Sequence, residues 1–226
     1  MKNKFKFTCC LLIISLFILC GCGKQLDLSQ YVSEYRSNIY IGTNGDYSAF
    51  ISFGKKEYPY AADGIAANES DYCEIALTAV NNTRVYKVII ECNDKKYESE
   101  LSFNNVHMIH KATLTLPDPQ AQKINVIAFD AETNNEIVFI VAESVKKENT
   151  LSVPQLLKSV YKDNKQTFDK LTQKNQFQGE IHVRLLCNEE KCYYYVGVVD
   201  RMGKTRAILA DAQSGKTLAT HESEQN

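Results

Sequence analysis

The feature that most constrains the fold is a single change in the spacing of apolar residues near position 150. Before it, from about residue 38 to residue 145, apolar and polar residues alternate in short runs separated by turn-forming residues. The Asn44-Gly45 pair between the first two runs is the strongest short hairpin signal. About seven to nine short strands with turn signals every 8–12 residues are typical of a sandwich. We therefore predict an antiparallel, immunoglobulin-like β-sandwich over residues 30–146.

After a polar break at residues 146–150, the apolar spacing becomes helical. Ser152, Pro154 and Gln155 supply a cap, a first-turn proline and a capping-box glutamine. The apolar residues that then recur at three- and four-residue steps are Val153, Leu156, Leu157, Val160, Tyr161, Phe168 and Leu171. Three strand-like runs follow, and residues 211–218 predict a glycine turn and a last short strand. This pattern predicts a mainly β chain with an α+β part: residues 150–220 form a helix packed on a small antiparallel sheet, and residues 221–226 form a tail.

The first two dozen residues have the organisation of an export signal. A short head carries Lys2, Lys4 and Lys6, and residues 7–20 form an apolar run that is too short to cross a bilayer of about 30 Å as a helix. The run ends in Leu19-Cys20-Gly21-Cys22, which resembles the lipobox of bacterial lipoproteins. An ordinary cleaved signal peptide and an uncleaved anchor helix are the alternatives, although an Ala-x-Ala-like site is missing.

The lipobox resemblance implies the position of the mature protein in the cell. Residues 1–21 would be removed, Cys22 would carry the lipid as a diacylglyceryl group with further acylation such as palmitate, and residues 22–29 would form a tether. Two or three acyl chains hold a protein firmly on a membrane, whereas one does so only marginally. The expected location is extracytoplasmic, with the chain bound to the cell membrane through the lipid on Cys22.

The charge balance argues against a nucleic-acid partner. The chain has 26 basic and 27 acidic side chains, and removal of the lysine-bearing signal leaves 23 against 27, a net charge of −4. Basic surfaces that bind nucleic acid require a local excess of Lys and Arg, which the sequence does not show.

The four cysteines outside the export segment form two local pairs. Cys73 and Cys92 lie in β-like runs joined by a four-residue turn, and Cys187 and Cys192 flank a second four-residue turn. Directly opposed strand positions bring Cβ atoms to about 4.5–5.5 Å, which is near disulfide geometry. Export would allow such bridges to persist, so we predict Cys73–Cys92 and Cys187–Cys192 disulfides. Two pairs of reduced, inert cysteines are the alternative, and neither pair has the spacing of a zinc site.

The C-terminal part resembles PepSY-type modules, which are small extracytoplasmic units with a helix packed on an antiparallel sheet. The residues that carry the resemblance are 193–200, Gly203-Lys204 and 211–216, and the resemblance extends at most over residues 150–220. The cysteine-flanked loop is not part of the family pattern. The resemblance implies a non-catalytic binding or inhibitory module, one that modulates peptidases at the cell surface.

Motifs for catalysis are not found in the sequence. The run 197–205 has five residues between its glycines where a phosphate loop needs four, and no Gly-x-Ser-x-Gly elbow occurs. His107 and His110 are expected on the surface, and His182 on the solvent face of a strand. We predict no catalytic residue, metal or cofactor, and a role in binding a protein or envelope component near the membrane. An envelope hydrolase with scattered carboxylates and an accessory subunit of a transport or secretion complex are the alternatives.

Overall fold

The computed structural model describes residues 26–59, 65–188 and 191–222. The predicted signal peptide, the predicted lipobox and Cys22, the predicted site of lipidation, lie outside these residues.

The described residues form fourteen strands, two α-helices and one 3₁₀ turn, Leu28–Tyr31. The helices are α1 (Val153–Asp163) and α2 (Lys165–Lys170). The strands are β1 (Val32–Asn44), β2 (Tyr47–Glu57), β3 (Glu69–Thr78), β4 (Tyr86–Cys92), β5 (Lys95–Asn104), β6 (Ile109–Leu114), β7 (Lys123–Asp130), β8 (Glu136–Ser144), β9 (Thr172–Gln173), β10 (Gln176–Phe177), β11 (Gly179–Cys187), β12 (Cys192–Asp200), β13 (Thr205–Asp211) and β14 (Thr217–Glu222). The predicted mainly β chain with a small helical part is confirmed.

The first eight strands close into a barrel, so the predicted sandwich is wrong. The strands are ordered β1-β2-β3-β6-β5-β4-β7-β8, and β8 pairs back onto β1 through Tyr40–Ser144 and Ile41–Glu143. A sandwich and a small barrel share the same period-2 pattern, because alternation reports which residues face inward and not which strand is the neighbour. An eight-stranded barrel is just wide enough for side chains to fill it. The largest side chains buried in this interior include Tyr40, Phe53, Tyr86, Ile51, Ile75 and Ile140.

The barrel order also overturns the predicted pairing of the first two cysteines. Strand β3 lies between β2 and β6, so Cys73 faces Leu114, while Cys92 at the end of β4 faces Lys95. The predicted hairpin between these strands is wrong, and both thiols are free and buried in the barrel interior. Burial raises the pKa of Cys73 and of Cys92, which disfavours the reactive thiolate.

The C-terminal strands extend the barrel sheet through β1. Strands β11 to β14 form an antiparallel meander, and β11 pairs in parallel with the first part of β1, from Val32–Ile181 to Arg36–Arg184. Strand β1 therefore belongs to both the barrel and the C-terminal sheet. Cys187 and Cys192 face each other at the β11–β12 turn and form the predicted disulfide, with 4.1 Å between their Cα atoms.

A second hydrophobic core lies between the helices and the C-terminal sheet. Ser152 caps the start of helix α1, and its backbone N–H donates to Oε1 of Gln155 at 3.0 Å. The apolar face of α1 and Phe168 of α2 share this core with the inward residues of β11, β12 and β13. The helical stripe predicted as one face up to Leu171 is interrupted at Asn164, whose amide donates to the Val160 carbonyl oxygen at 3.0 Å and to Oγ1 of Thr217 at 2.8 Å. No helix among the described residues has both the length and the apolar character that a membrane span requires.

The two neighbouring histidines differ from each other in their surroundings. His107 lies exposed in the β5–β6 turn, as predicted. His110 is only 1% exposed, so its predicted surface position is wrong. Its ring centroid lies 4.7 Å from that of Tyr86 and 4.9 Å from that of Phe103. The reason is that His110 pairs with Leu77 and Phe103 and falls on the inward side of β6.

Candidate functional site

The most distinctive polar surface of the molecule lies where the barrel sheet continues into the C-terminal sheet. Four side chains occupy one register line across the adjacent strands β12, β11, β1, β2 and β3. Tyr195 pairs with Arg184, Arg184 with Arg36, Arg36 with Gly54, and Gly54 with Tyr72. Because alternate residues point to opposite faces, these side chains lie on the face away from α1. We call Tyr195, Arg184, Arg36 and Tyr72 the Tyr–Arg row.

Two glycines allow the tyrosine rings of the row to lie against the sheet. A Cβ atom at Gly54 would come within 2.8 Å of two ring carbons of Tyr72. A Cβ atom at Gly197 would come within 3.0 Å of the Tyr195 ring. Each ring thus covers the backbone where a glycine leaves room, and Tyr72 is only 7% exposed. The row consequently places two guanidinium groups between two tyrosine rings, of which Tyr72 is buried and Tyr195 is partly exposed.

Arg184 is held in place by a two-pronged ion pair. Its Nε and one terminal nitrogen donate to the two carboxylate oxygens of Glu34, at 3.0 and 2.7 Å. Burial alone would raise the pKa of Glu34, but the hydrogen bond and charge of Arg184 outweigh it and lower the pKa. The hydrogen bond to Glu34 likewise raises the pKa of Arg184. Beside this pair, Nε2 of His182 lies 3.3 Å from Oε1 of Glu180.

Arg36 differs from Arg184 because it forms no ion pair with a carboxylate of the described residues. Its Nε is buried and makes no hydrogen bond of good geometry, and the same is true of the buried hydroxyl of Tyr72. Burial, with a contribution from the charge of Glu34, raises the pKa of Tyr72, and the charge and the nearby donors of Arg36 partly offset that rise. Nζ of Lys56 lies 5.7 Å from the centroid of the Tyr72 ring. Lys56 and Arg184 thus add positive charge beside Arg36, and Glu34, the nearby carboxylate, is already bonded to Arg184.

On the helix side of the sheet, a cleft lies between the barrel and the C-terminal unit. Its volume is about 480 Å³, and its lining residues are Ser29, Val32, Tyr35, Lys55, Glu69, Lys146, Thr150, Leu151, Ser152, Val153 and Pro154. Glu69 supplies the one carboxylate of this lining and lies 3.7 Å from Nζ of Lys55. The paired carboxylates that a glycoside hydrolase would use are therefore not present among the described residues of the cleft.

Another polar cluster holds the segment between β6 and β7 against one end of the barrel. The hydroxyl of Ser37 donates to the Asp118 carboxylate at 2.8 Å, and the hydroxyl of Tyr40 donates to the Ala121 carbonyl oxygen at 2.8 Å. Burial, together with the charge of Asp118, raises the pKa of Tyr40. These bonds satisfy polar atoms at the barrel end, so the cluster has a structural role. In the part of the chain that the structure describes, no three His, Cys, Asp or Glu side chains are grouped as metal ligands.

The disulfide predicted from sequence lies at one end of the strands that carry the row. Sγ of Cys192 is 3.3 Å from the carbonyl oxygen of Val145, in the segment between β8 and α1. The hydroxyl of Tyr194 donates to the Leu151 carbonyl oxygen of the same segment at 2.9 Å. The β11–β12 hairpin therefore packs on the connection between the barrel and the helices. Cys73 and Cys92 lie inside the barrel and contribute nothing to the row.

Sequence reasoning placed His182 on a solvent face but did not identify the row beside it. The signal was present in the alternation Glu34-x-Arg36, His182-x-Arg184 and Tyr193-x-Tyr195, which places charged and aromatic residues on one face of three strands. None of the protein-family models, curated protein sequences or solved structures compared with the chain matches it. The geometry of the described residues is therefore the basis for a function.

Proposed function

We propose that the protein is an extracytoplasmic lipoprotein, anchored through lipid on Cys22, that binds a protein partner of the cell envelope. The single observation that carries the binding role is the Tyr–Arg row, with its unpaired Arg36. Arginine and tyrosine are enriched among the residues that dominate protein–protein binding energies. Their planar groups supply large contact areas and directed hydrogen bonds.

The anchor would hold the C-terminal unit close to the membrane. Leu26 packs against the core of the C-terminal unit, and Cys22 precedes it by four positions. Four extended residues reach at most about 14 Å. A lipid on Cys22 would therefore hold Leu26, which lies beside α1, and with it the C-terminal unit, within about 14 Å of the lipid headgroups. The row lies on the opposite face of the same sheet, where it is left uncovered by the helices.

Two further features of the C-terminal unit support a binding role. Strand β14 is the last strand of the sheet order among the described residues. Asp163 and Asn164 bond Thr217 at its start, and no described strand pairs with the rest of its outer edge, where Leu218 is 50% exposed. The resemblance of residues 150–220 to PepSY-type modules favours the same unit as the binding module. Modulation of a peptidase at the cell surface is the activity that this resemblance implies.

The anchor is tested by fractionation of cells that produce the Cys22→Ala variant. The variant is expected to appear in the soluble extracytoplasmic fraction or to accumulate as unprocessed precursor. Normal processing together with unchanged membrane retention would contradict lipidation at Cys22.

The binding role is tested by cross-linking in intact membranes and capture of the full-length lipoprotein. Tyr195→Ser is expected to abolish a cross-linked partner band that the wild type gives. The matched control is Arg201→Gln, which alters an exposed residue in the β12–β13 turn, away from the row, and should leave the band unchanged. A band that is equally strong in all three proteins would refute recognition through the row.

A further inference from the structure

We propose that Arg36 is a carboxylate-binding site that takes an aspartate or glutamate side chain from an acidic segment of the protein partner. This inference rests on the proposed function, because it names the chemistry of the partner at the Tyr–Arg row. The argument depends on the difference between the two arginines, on the charges around them and on the surface beside them.

The two arginines stand side by side but only one is satisfied. Arg184 uses its fork of donors on both carboxylate oxygens of Glu34. Arg36, its direct register partner on β1, has a buried Nε without an acceptor. A buried donor without a partner is unfavourable, and it shows that no carboxylate of the described residues is committed to this guanidinium. The terminal nitrogens of a guanidinium can bind the two oxygens of a carboxylate that approaches from solvent.

The charges that face Arg36 favour an anion. Lys56 on β2 and Arg184 on β11 are positive, and Glu34 on β1 is already bonded to Arg184. Glu74 lies further along the same face of β3 and forms no ion pair with the described residues. Together with Arg36 itself these are three cations near two carboxylates, while Glu180, four positions from Arg184 on the same face of β11, lies beside His182; the overall charge of the chain is negative. This local excess of positive charge is complementary to an acidic partner.

The surface next to Arg36 indicates a peptide rather than a small inorganic anion. The same face continues across β12, β13 and β14 with Tyr193, Leu209 and Ala219, which are partly or fully exposed. Leu186 on β11 is also exposed. An acidic residue bound at Arg36 would bring neighbouring apolar residues of its own segment onto this strip. A free phosphate would use the charge but leave the strip uncovered.

The test measures binding of defined peptides to the full-length, processed lipoprotein in detergent micelles. The probe is a fluorescein-labelled hexapeptide of four glutamates and two tyrosines, and the matched peptide replaces the glutamates by glutamines. Fluorescence anisotropy is expected to show at least about tenfold tighter binding of the acidic peptide. Arg36→Gln should reduce the affinity for the acidic peptide about tenfold or more, and Arg36→Lys should reduce it by less. The control Arg201→Gln should change it by less than about twofold, and empty micelles serve as the blank.

Several results would overturn the proposal. Equal binding of the acidic peptide to wild type and to Arg36→Gln would place the contact elsewhere, and Arg36→Lys provides the same test if the glutamine variant does not fold. Competition by inorganic phosphate at the same affinity as the peptide would make the site a general anion site. If the acidic peptide fails while the cross-linked partner still depends on Tyr195, this inference falls and the proposed function stands. If the peptide binds through Arg36 but no partner depends on the row, the proposed function falls.

Discussion

The closure of the barrel can be tested at one residue, Gly42 in β1. Where β8 returns to β1, a Cβ atom on Gly42 would lie 2.5 Å from the Val141 carbonyl oxygen, 2.6 Å from a side-chain carbon of Ile140 and 2.9 Å from Cα of Ala142. Two of these three atoms belong to the backbone, which cannot move aside as a flexible side chain can. Gly42→Ala therefore forces β1 and β8 apart at the point where the barrel closes.

The size of the effect follows from the kind of overlap. Inserting one methyl group into a well-packed interior is unfavourable by about 1–3 kcal/mol. The overlap with backbone of the neighbouring strand places this substitution near the upper end, so we expect a loss of about 3 kcal/mol in the free energy of unfolding. In an open sandwich the same change would be neutral or slightly stabilising, because alanine loses less backbone entropy than glycine on folding.

The assay is urea denaturation followed by far-UV circular dichroism, because the chain contains no tryptophan. The control is Thr43→Ala, an exposed neighbour in the same strand, which should change the free energy of unfolding by less than about 0.5 kcal/mol. The comparison uses midpoints at unchanged slope, so that a difference reports stability rather than a change in the unfolded state. A Gly42→Ala protein as stable as the Thr43→Ala protein would refute closure between β1 and β8.

Three further predictions concern the cysteines and the buried histidine. Replacing Cys187 and Cys192 together by serine should lower the free energy of unfolding by about 2 kcal/mol, as loop-closure entropy gives for cysteines separated by five positions, and an unchanged urea midpoint would argue against the bridge. Cys73 and Cys92 should resist alkylation in the folded protein, and both should react in denaturant; rapid labelling of the folded protein would contradict their burial. Because only Cys187 and Cys192 are bridged, the non-reduced mass of the chain from Cys22 should lie about 2 Da below the fully reduced mass. Burial lowers the pKa of His110, so below about pH 6.5 the unfolded chain binds a proton that the folded chain does not. The free energy of unfolding should therefore fall as the pH decreases below about 6.5. A His110→Phe variant with the same pH dependence would show that another group is responsible.

Local features of the fold were predicted correctly because nearby residues decide them. The Asn44-Gly45 turn joins β1 to β2, with Gly45 at a positive φ of 59°. The turn after Asp211 is held by its own carboxylate, which accepts from the Ser214 backbone N–H at 2.8 Å. The Cys187–Cys192 bridge closes over a turn whose two strands are consecutive in the chain. In each case the interacting groups are separated by a few residues, so the turn alone sets the register.

The wrong predictions share one cause: the residues of a strand do not determine which other strand pairs with it. Cys73 and Cys92 lie in consecutive strands, but β6 and β5 are inserted between β3 and β4, and this order depends on long-range pairing. His110 carries a polar side chain on an apolar alternation, and only the approach of Tyr86 and Phe103 decided that it is buried. The helix stripe continues past Asn164, but the bond from Asn164 to Thr217 on the distant β14 accompanies the break.

By itself, the sequence determined the strand alternation, the turns, the start of α1 and the C-terminal disulfide, because these depend on side-chain periodicity and on bonds within a few residues. Only the tertiary structure decided that β8 returns to β1 and that β11 lies beside the other part of the same strand. That second pairing brings Arg184 to Glu34, 150 positions away, and leaves Arg36 next to it without a carboxylate. Strand order is the sum of many weak long-range contacts, each of which requires closing a long loop, so no single segment of the chain encodes it.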